Sequence, residues 1–523
     1  MASTRRPRKS RGFFVQKPPG TFTPRVQAVG PDHFGIVSID CAKARSKFLL
    51  CDFYGRVLIE PTILEHTQVG FRAAVDQVRA AVRAHELRDI VVAIESTGTY
   101  HRPVQHAFRD AGFDTRLVHP FASKHFRQPA DPGNKTDDTD LAAIFRATVN
   151  GFGLMQPTWP AHYLELQQLA RQRRDLVHKT TTLRCQIKET LHQLLPGYTT
   201  LFAEHFFDTP VALPLARATG SAQAVLDAGL AGLPRVLPEG LRYKMTTLVK
   251  ILAWARTAPP AQEPCQLYRE SLDRLADDFL KKTSEIRGLE QRSARLLAQT
   301  PFLRLLALPG ICVVSAAELA GEQGPPECYA NANHLTGRAG LCPSRYQSDQ
   351  VDCANGPLRR HGNRRLRAAL LRIADNLLRH NHHFQAQAAR WKRQGKDPRW
   401  IHVKLAKSFS RLLFVLLTTE SLVPHPACQP RHSICDKLMG FHIDHRTDLA
   451  KALEDIDHAT RQLSGRTCRE EAELLRQQLD QPRSRHGCGR RHGPVPLAEL
   501  IPQVLARLGV RLLQSEPEGE DPS

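Results

Sequence analysis

Apolar and polar positions alternate differently in three stretches of the chain. From residue 34 to 150, short apolar runs end on turn residues or carboxylates. Phe34-Gly35-Ile36-Val37-Ser38-Ile39-Asp40 reads as a strand that ends on an acid. Lys47 to Phe53 reads as a second strand, and Val57 to Glu60 as a third after the turn Tyr54-Gly55-Arg56. Val75, Val78, Ala81 and Val82 recur at helical spacing across 71–85. Asp89-Ile90-Val91-Val92-Ala93-Ile94-Glu95 is apolar nearly throughout, the pattern of a strand covered on both faces, and it also ends on a carboxylate. Arg102 to Ala111 suits a helix, and Thr115 to His119 another strand before a polar, Pro-containing loop. A further helix starts after Thr136 and carries Leu141, Ala142, Ala143, Ile144 and Phe145.

That order is the plan of an RNase H-like fold, so an α/β domain is expected over 34–150. From about 155 to 300 the period changes. Leu164, Leu166, Leu169, Leu176, Leu183, Ile187, Leu191 and Leu194 recur at near-heptad spacing, with Arg171, Arg173, Arg174, Arg184 and Lys188 between them. Leu272, Leu275, Phe279, Ile286, Leu289 and Leu296 repeat the pattern. Two long helices around an Ala-, Leu- and Pro-rich insert are expected, as a hairpin, a coiled-coil stalk or a helical bundle. From 301 to 420 the pattern predicts a mainly helical domain, with helices over 313–320, after Asn363, and over 400–417. Leu308-Pro309-Gly310-Ile311 reads as a turn that presents backbone N–H groups to phosphate. Residues 1–33 read as a basic flexible tail, and 421–523 as a C-terminal extension, partly disordered.

Charge narrows the function classes. Lys and Arg number 73 against 52 Asp and Glu, a net charge of +21, which points to a nucleic-acid partner. Arg359, Arg360, Arg364, Arg365 and Arg367 cluster around Asn363, and Lys135 precedes an acidic stretch; these are the candidate phosphate contacts. The 12 cysteines include no CxxC pair, so reduced thiols are expected. No apolar run is long enough to span a membrane, and no signal core follows the basic N-terminus, so a cytoplasmic protein is expected. Cys428, His432, Cys435, His442 and His445 match no standard zinc spacing.

Four acids stand out against this basic background. Asp137 and Asp140 are three apart and share one face of the helix they open. Taken alone, a capped helix start explains them better. Asp40 and Glu95 change that balance, because strand ends and a packed helix converge in an RNase H-like sheet. Four crowded carboxylates repel one another unless cations neutralise them. Mg²⁺, a hard ion that takes oxygen ligands, is the natural choice, and two ions suit phosphodiester chemistry.

Glu95-Ser96-Thr97-Gly98-Thr99-Tyr100-His101 and Lys135-Thr136-Asp137-Asp138-Thr139-Asp140 resemble the two signature motifs of the DEDD-type insertion-sequence transposases. That family joins a RuvC-like N-terminal domain to a C-terminal serine transposase domain. The resemblance implies that Asp40, Glu95, Asp137 and Asp140 form the catalytic, metal-holding quartet, with Asp138 at a variable position. Gly340-Leu341-Cys342-Pro343 and Gly362-Asn363-Arg364-Arg365-Leu366-Arg367 resemble two further blocks of the family. On that alignment Ser348 is the nucleophile, followed by Asp349 where the family usually has Gly, and Ser344 is its local competitor. Cys312 replaces the last Gly of the family's Pro-Gly-Ile-Gly pattern. The resemblance further implies cutting and rejoining of donor and target DNA through a phosphoserine intermediate. It also implies an element-encoded guide RNA and a homo-oligomer, dimer or tetramer, assembled through a coiled coil. Two rivals remain on the residues alone: a metal-dependent junction resolvase or nuclease that uses only carboxylates, and a non-catalytic nucleic-acid-binding protein.

Overall fold

The computed structural model describes residues 22–127, 136–151, 154–155, 159–263, 265–344, 346–348, 351–353, 356–359, 362–419, 425–429 and 432–463. The chain divides into two compact units between Thr158 and Trp159.

The first unit is built on a mixed sheet. Helix α1 (Thr23–Val29) precedes β1 (Phe34–Cys41), β2 (Arg45–Asp52), β3 (Val57–Glu65), α2 (Gln68–Ala84), β4 (Asp89–Glu95), α3 (His101–Asp110), β5 (Asp114–Val118), α4 (Pro120–Arg127), α5 (Asp137–Val149) and the two-residue β6 (Leu154–Met155). The strand order is β3-β2-β1-β4-β5-β6. β2 pairs antiparallel with β1 and β3, whereas β4 runs parallel to β1 and β5 parallel to β4. This arrangement is compatible with the expected RNase H-like domain.

Both faces of the central strands are covered, which is why β4 is apolar throughout. Val37, Ile39, Val92 and Ile94 pack with Ala74, Val75 and Val78 of α2 and with Val104 and Phe108 of α3. On the opposite face Ala93 packs against Ile144 and Ala147 of α5. Side chains alternate along a strand. The residues in step with Ile36, on α5's side of β1, therefore include Asp40, and those in step with Ala93 include Glu95.

Two expectations are corrected here. Residues 22–33 are not a flexible tail. Phe22 and Val26 are buried against Phe34, and Arg25 bridges Asp89 (2.6 Å) and Asp114 (2.5 Å) at the starts of two strands. One guanidinium thus offsets two neighbouring carboxylates. Residues 1–21 lie outside the described set. The segment after β5 is not a polar loop but the helix α4. Pro120 opens it, where a fixed φ and a missing N–H cost nothing.

In the second unit, α6 (Ala161–Leu194) and α10 (Cys265–Ala298) are 34 residues each. They run antiparallel: Arg292 pairs with Glu165, Arg173 with Glu290, and Arg184 lies over Phe279. The insert between them contains α7 (Ala212–Thr219), α8 (Ala222–Gly232) and α9 (Met245–Ala255). Its own core includes Tyr198, Phe206, Leu248 and Trp254.

Beyond α10 come α11 (Val313–Gln323), α12 (Ala332–Arg338), the hairpin β7 (Tyr346–Ser348) and β8 (Val351–Cys353), α13 (Arg364–His380), α14 (His382–Arg393), α15 (Pro398–Thr418), α16 (His432–Asp444) and α17 (Leu449–Gln462). At Gly321 a Cβ would meet the backbone of Leu166 and Gln167 at 2.7–2.8 Å, so only glycine lets α11 approach α6 this closely. The Leu-Pro-Gly-Ile turn is an internal joint. Lys437 of α16 donates to the carbonyls of Leu308 (2.8 Å) and Ile311 (3.2 Å).

The expected boundary at 421 also changes. Ile434, Leu438 and Met439 of α16 and Leu453 and Ile456 of α17 share one core with Phe302, Leu370 and Phe409. Residues up to 463 therefore complete the domain, and 464–523 lie outside the described set. No helix among the described residues is long and apolar enough to cross a membrane.

Leu438 is fully buried in that core. We expect Leu438→Ala to cost about 2–5 kcal/mol in denaturant unfolding of the full chain. An unchanged midpoint would mean that α16 is an appendage.

Candidate nucleic-acid-processing site

The acidic cluster is positioned by the end of the sheet. Ile39 and Ile94 are in register on the parallel strands β1 and β4, so Asp40 and Glu95 follow side by side. Their carboxyl groups are within hydrogen-bond reach of each other. α5 packs on the same face and brings its first turn to this edge. Thr136 caps it: the Thr136 hydroxyl accepts from the Thr139 N–H at 3.2 Å, and Thr139 Oγ1 accepts from the Thr136 N–H at 3.0 Å. The capping reading of this stretch therefore holds, but the cap is a threonine. The aspartates do not supply the cap. Asp137 and Asp138 are exposed, while Asp140 is buried.

Asp40 registers the crowding. Its carboxyl is pushed up to about 7, first by burial, then by Glu95 beside it, and then by the charges of Asp140 and Asp137. The other three acids expected at this site thus all act on Asp40. Among the described residues, however, no three Asp, Glu, His or Cys side chains converge closely enough to hold an ion together.

Side chains absent from the sequence-based expectation explain part of this. Ser123 Oγ donates to Glu95 Oε1 at 2.5 Å. Arg127 pairs with Asp140. Lys47 lies directly across from Asp40 on the neighbouring antiparallel strand and reaches Asp138 at 2.6 Å. Lys47 could have been found, because period-2 alternation puts it on Asp40's face. Ser123 and Arg127 could not, without knowing that their segment is helical. The donor set suits a hard divalent cation: it offers only oxygens, and a cation would relieve the repulsion that lifts Asp40.

The second unit holds the other expected residues. Ser348 stands at the last pair of the β7–β8 hairpin, opposite Val351. Its side chain, Asp349, Lys135 and Arg360 lie outside the described set. Ser344 donates to the Pro357 carbonyl at 3.0 Å and fastens the base of the hairpin.

Asn363 caps α13, accepting from the N–H groups of Arg365 (3.0 Å) and Leu366 (3.1 Å). Arg359, Arg364 and Arg365 are exposed. Arg367 is a brace instead, donating to the carbonyls of Ala339 (2.8 Å) and Arg359 (2.6 Å). Arg372 pairs with Glu318, as does Arg174. Buried Glu322 takes Arg171 through both of its oxygens. Of the metal-type residues scanned near the C-terminus, His442 lies against Asp455 and His445 against Glu290.

Comparison with known proteins bears on what this arrangement serves. Residues 37–196 match a family model of DEDD transposases of the IS110 type. Residues 303–389 match a second model, described as a transposase of the IS116/IS110/IS902 family. Two separate stretches of the chain are thus similar to transposase domains of the IS110/IS116/IS902 family. The first transposase match runs past the sheet into α6, and the second spans α11, the hairpin and α13. A Pseudomonas aeruginosa protein named as a probable family 20 transposase is 25% identical over 349 residues, covering 66% of this chain and 89% of the relative. The DEDD transposase match implies a dependence on divalent metal.

Asp40 also yields a pH prediction. The folded carboxyl keeps its proton up to about pH 7, whereas the unfolded one gives it up near ~4. Between those values the folded state binds more protons, so rising pH weakens the fold. With chelator present, we expect thermal stability to fall between pH 5 and 8 by about 1 kcal/mol, after allowing for solvent screening of a partly exposed group. Asp40→Asn should remove that slope. Parallel pH profiles for the wild type and Asp40→Asn would contradict the assignment.

Proposed function

We propose that this chain is a DNA transposase that cuts and rejoins strands with a carboxylate-held metal site and a serine nucleophile. The observation that supports the reading is Asp40, whose carboxyl is pushed up to about 7 by burial first and then by Glu95, Asp140 and Asp137. The two transposase matches support it by spanning both the acids and Ser348.

In this reading Asp40, Glu95, Asp137 and Asp140 hold Mg²⁺, which when bound would supply Lewis-acid stabilisation of charge on phosphate oxygens. Ser348 Oγ attacks the scissile phosphorus and loses its proton. A serine–phosphate bond forms, the bond from phosphorus to the departing strand oxygen breaks, and that oxygen takes up a proton. A hydroxyl of the second DNA strand then attacks the phosphoserine, restores Ser348 and leaves a rejoined phosphodiester. The exposed Arg359, Arg364 and Arg365 contact phosphates, fixing position but not sequence.

Sequence choice belongs to an element-encoded RNA that pairs with donor and target DNA, recognised through shape and charge. The net charge of +21 supports a polyanionic partner of this kind. The active form is a homo-oligomer, a dimer or tetramer, associated through the long α6–α10 pair.

The reading is tested by strand exchange between two DNA substrates in the presence of Mg²⁺, with the co-purified RNA retained and sequenced. Asp140→Asn and Ser348→Ala are each expected to lower exchange at least about a hundredfold. Wild type should form a covalent protein–DNA adduct and Ser348→Ala none. Full cleavage by Ser348→Ala without an adduct would replace this reading with that of a carboxylate-only junction nuclease. Retained RNA of random origin would remove the guide.

A further inference from the structure

The helix α4 presents two side chains to the carboxylate cluster, and they are four residues apart. Ser123, 2% exposed, donates to Glu95. Arg127, one turn later on the same face, pairs with Asp140, whose side chain is 7% exposed. The two contacts engage the strand-end glutamate and the helix-borne aspartate at once. Both are groups that a cation would need.

A buried carboxylate is costly without a counter-charge, and the guanidinium supplies one. An Arg⁺–carboxylate pair and a metal–carboxylate bond use the same oxygens. They compete for Asp140. The competition also fits the spacing of the acids, since no three of them converge on one point among the described residues.

We propose that Arg127 is a built-in substitute cation that occupies Asp140 until a divalent ion displaces it, with Ser123 holding α4 over Glu95 in the same closed arrangement. The proposal rests on reading Asp40, Glu95, Asp137 and Asp140 as metal ligands. Arg127 here is a positioning residue. Paired, it keeps Asp140 buried and in place. Displaced, its guanidinium is released beside the cation and can pair with a phosphate in planar, bidentate fashion. Metal entry and phosphate capture are thereby linked through one side chain. A site closed by its own arginine also binds free metal weakly, so the ion is taken up most readily when a phosphate is present to receive Arg127.

The direction of the effect separates this role from a structural one. A residue that merely supports the site would weaken metal binding when removed. A competitor must tighten it. A pair closed about nine-tenths of the time lowers apparent affinity about tenfold, because only the open fraction binds.

The test is titration of the full chain with Mn²⁺, without DNA, with free ion counted by electron paramagnetic resonance. R127Q is expected to bind Mn²⁺ about tenfold more tightly than wild type. R127K keeps a cation but loses the planar fork, and should fall between the two. D140N should bind more weakly than wild type whatever stands at position 127. If R127Q does not fold, R127K decides alone: tighter binding supports the proposal, and equal or weaker binding overturns it. Affinity in R127Q that is unchanged or reduced, with D140N still weakened, overturns the competitor role and leaves the metal site intact. Equal Mn²⁺ binding by wild type and D140N overturns both.

Discussion

Electrostatic crowding at one edge of the sheet is the constraint on which the first unit's arrangement depends. Parallel pairing of β1 and β4 sets Asp40 beside Glu95, and α5 adds Asp137 and Asp140 on the same face. Nothing about folding favours four acids there: burial and mutual repulsion lift Asp40 to about 7. The surrounding chain answers with Ser123 on Glu95, Arg127 on Asp140 and Lys47 on Asp138. A protein selected only for stability would replace such a cluster with apolar residues. Its presence in a strongly basic chain supports the proposed site for a cation and a phosphate.

The same logic governs the arginines. A net charge of +21 suggests a surface given over to nucleic acid, yet many arginines have internal work. Arg25 joins the starts of β4 and β5. Arg171 neutralises the buried Glu322, and Arg173 meets Glu290. Arg174 and Arg372 share Glu318. These pairs lock α6 to α10, α11 and α13. Among the described residues, the arginines proposed to meet phosphates near α13 are a smaller set, Arg359, Arg364 and Arg365, gathered where Asn363 opens the helix.

Much of the first unit was legible because its signals are local. An apolar run such as Ile90 to Ile94 that ends on Glu95 declares a two-sided strand and its acid in one stretch. Asn363 declared its cap for the same reason, as its partners lie two and three residues away. The parts that were not legible depend on distant contacts. α4 is eight residues long, dense in His, Lys and Arg, and its helical face has meaning only against Glu95 and Asp140. α1 was hidden in a basic segment, although Phe22 and Val26 bury themselves against a strand. α16 and α17 are not legible because their apolar faces complete a core built from separate parts of the chain, such as Phe302, Leu370 and Phe409. Ser348 is a different case: no residue near it signals a nucleophile, and only resemblance singled it out.

The central proposal is that a divalent cation displaces the proton that burial and neighbouring charge favour on Asp40. Calorimetric titration of Mn²⁺ into the full chain at pH 7, in buffers of different ionisation enthalpy, counts protons exchanged on binding. The account predicts net proton release that disappears in Asp40→Asn. Binding without proton release, or release that is unchanged in Asp40→Asn, would contradict it.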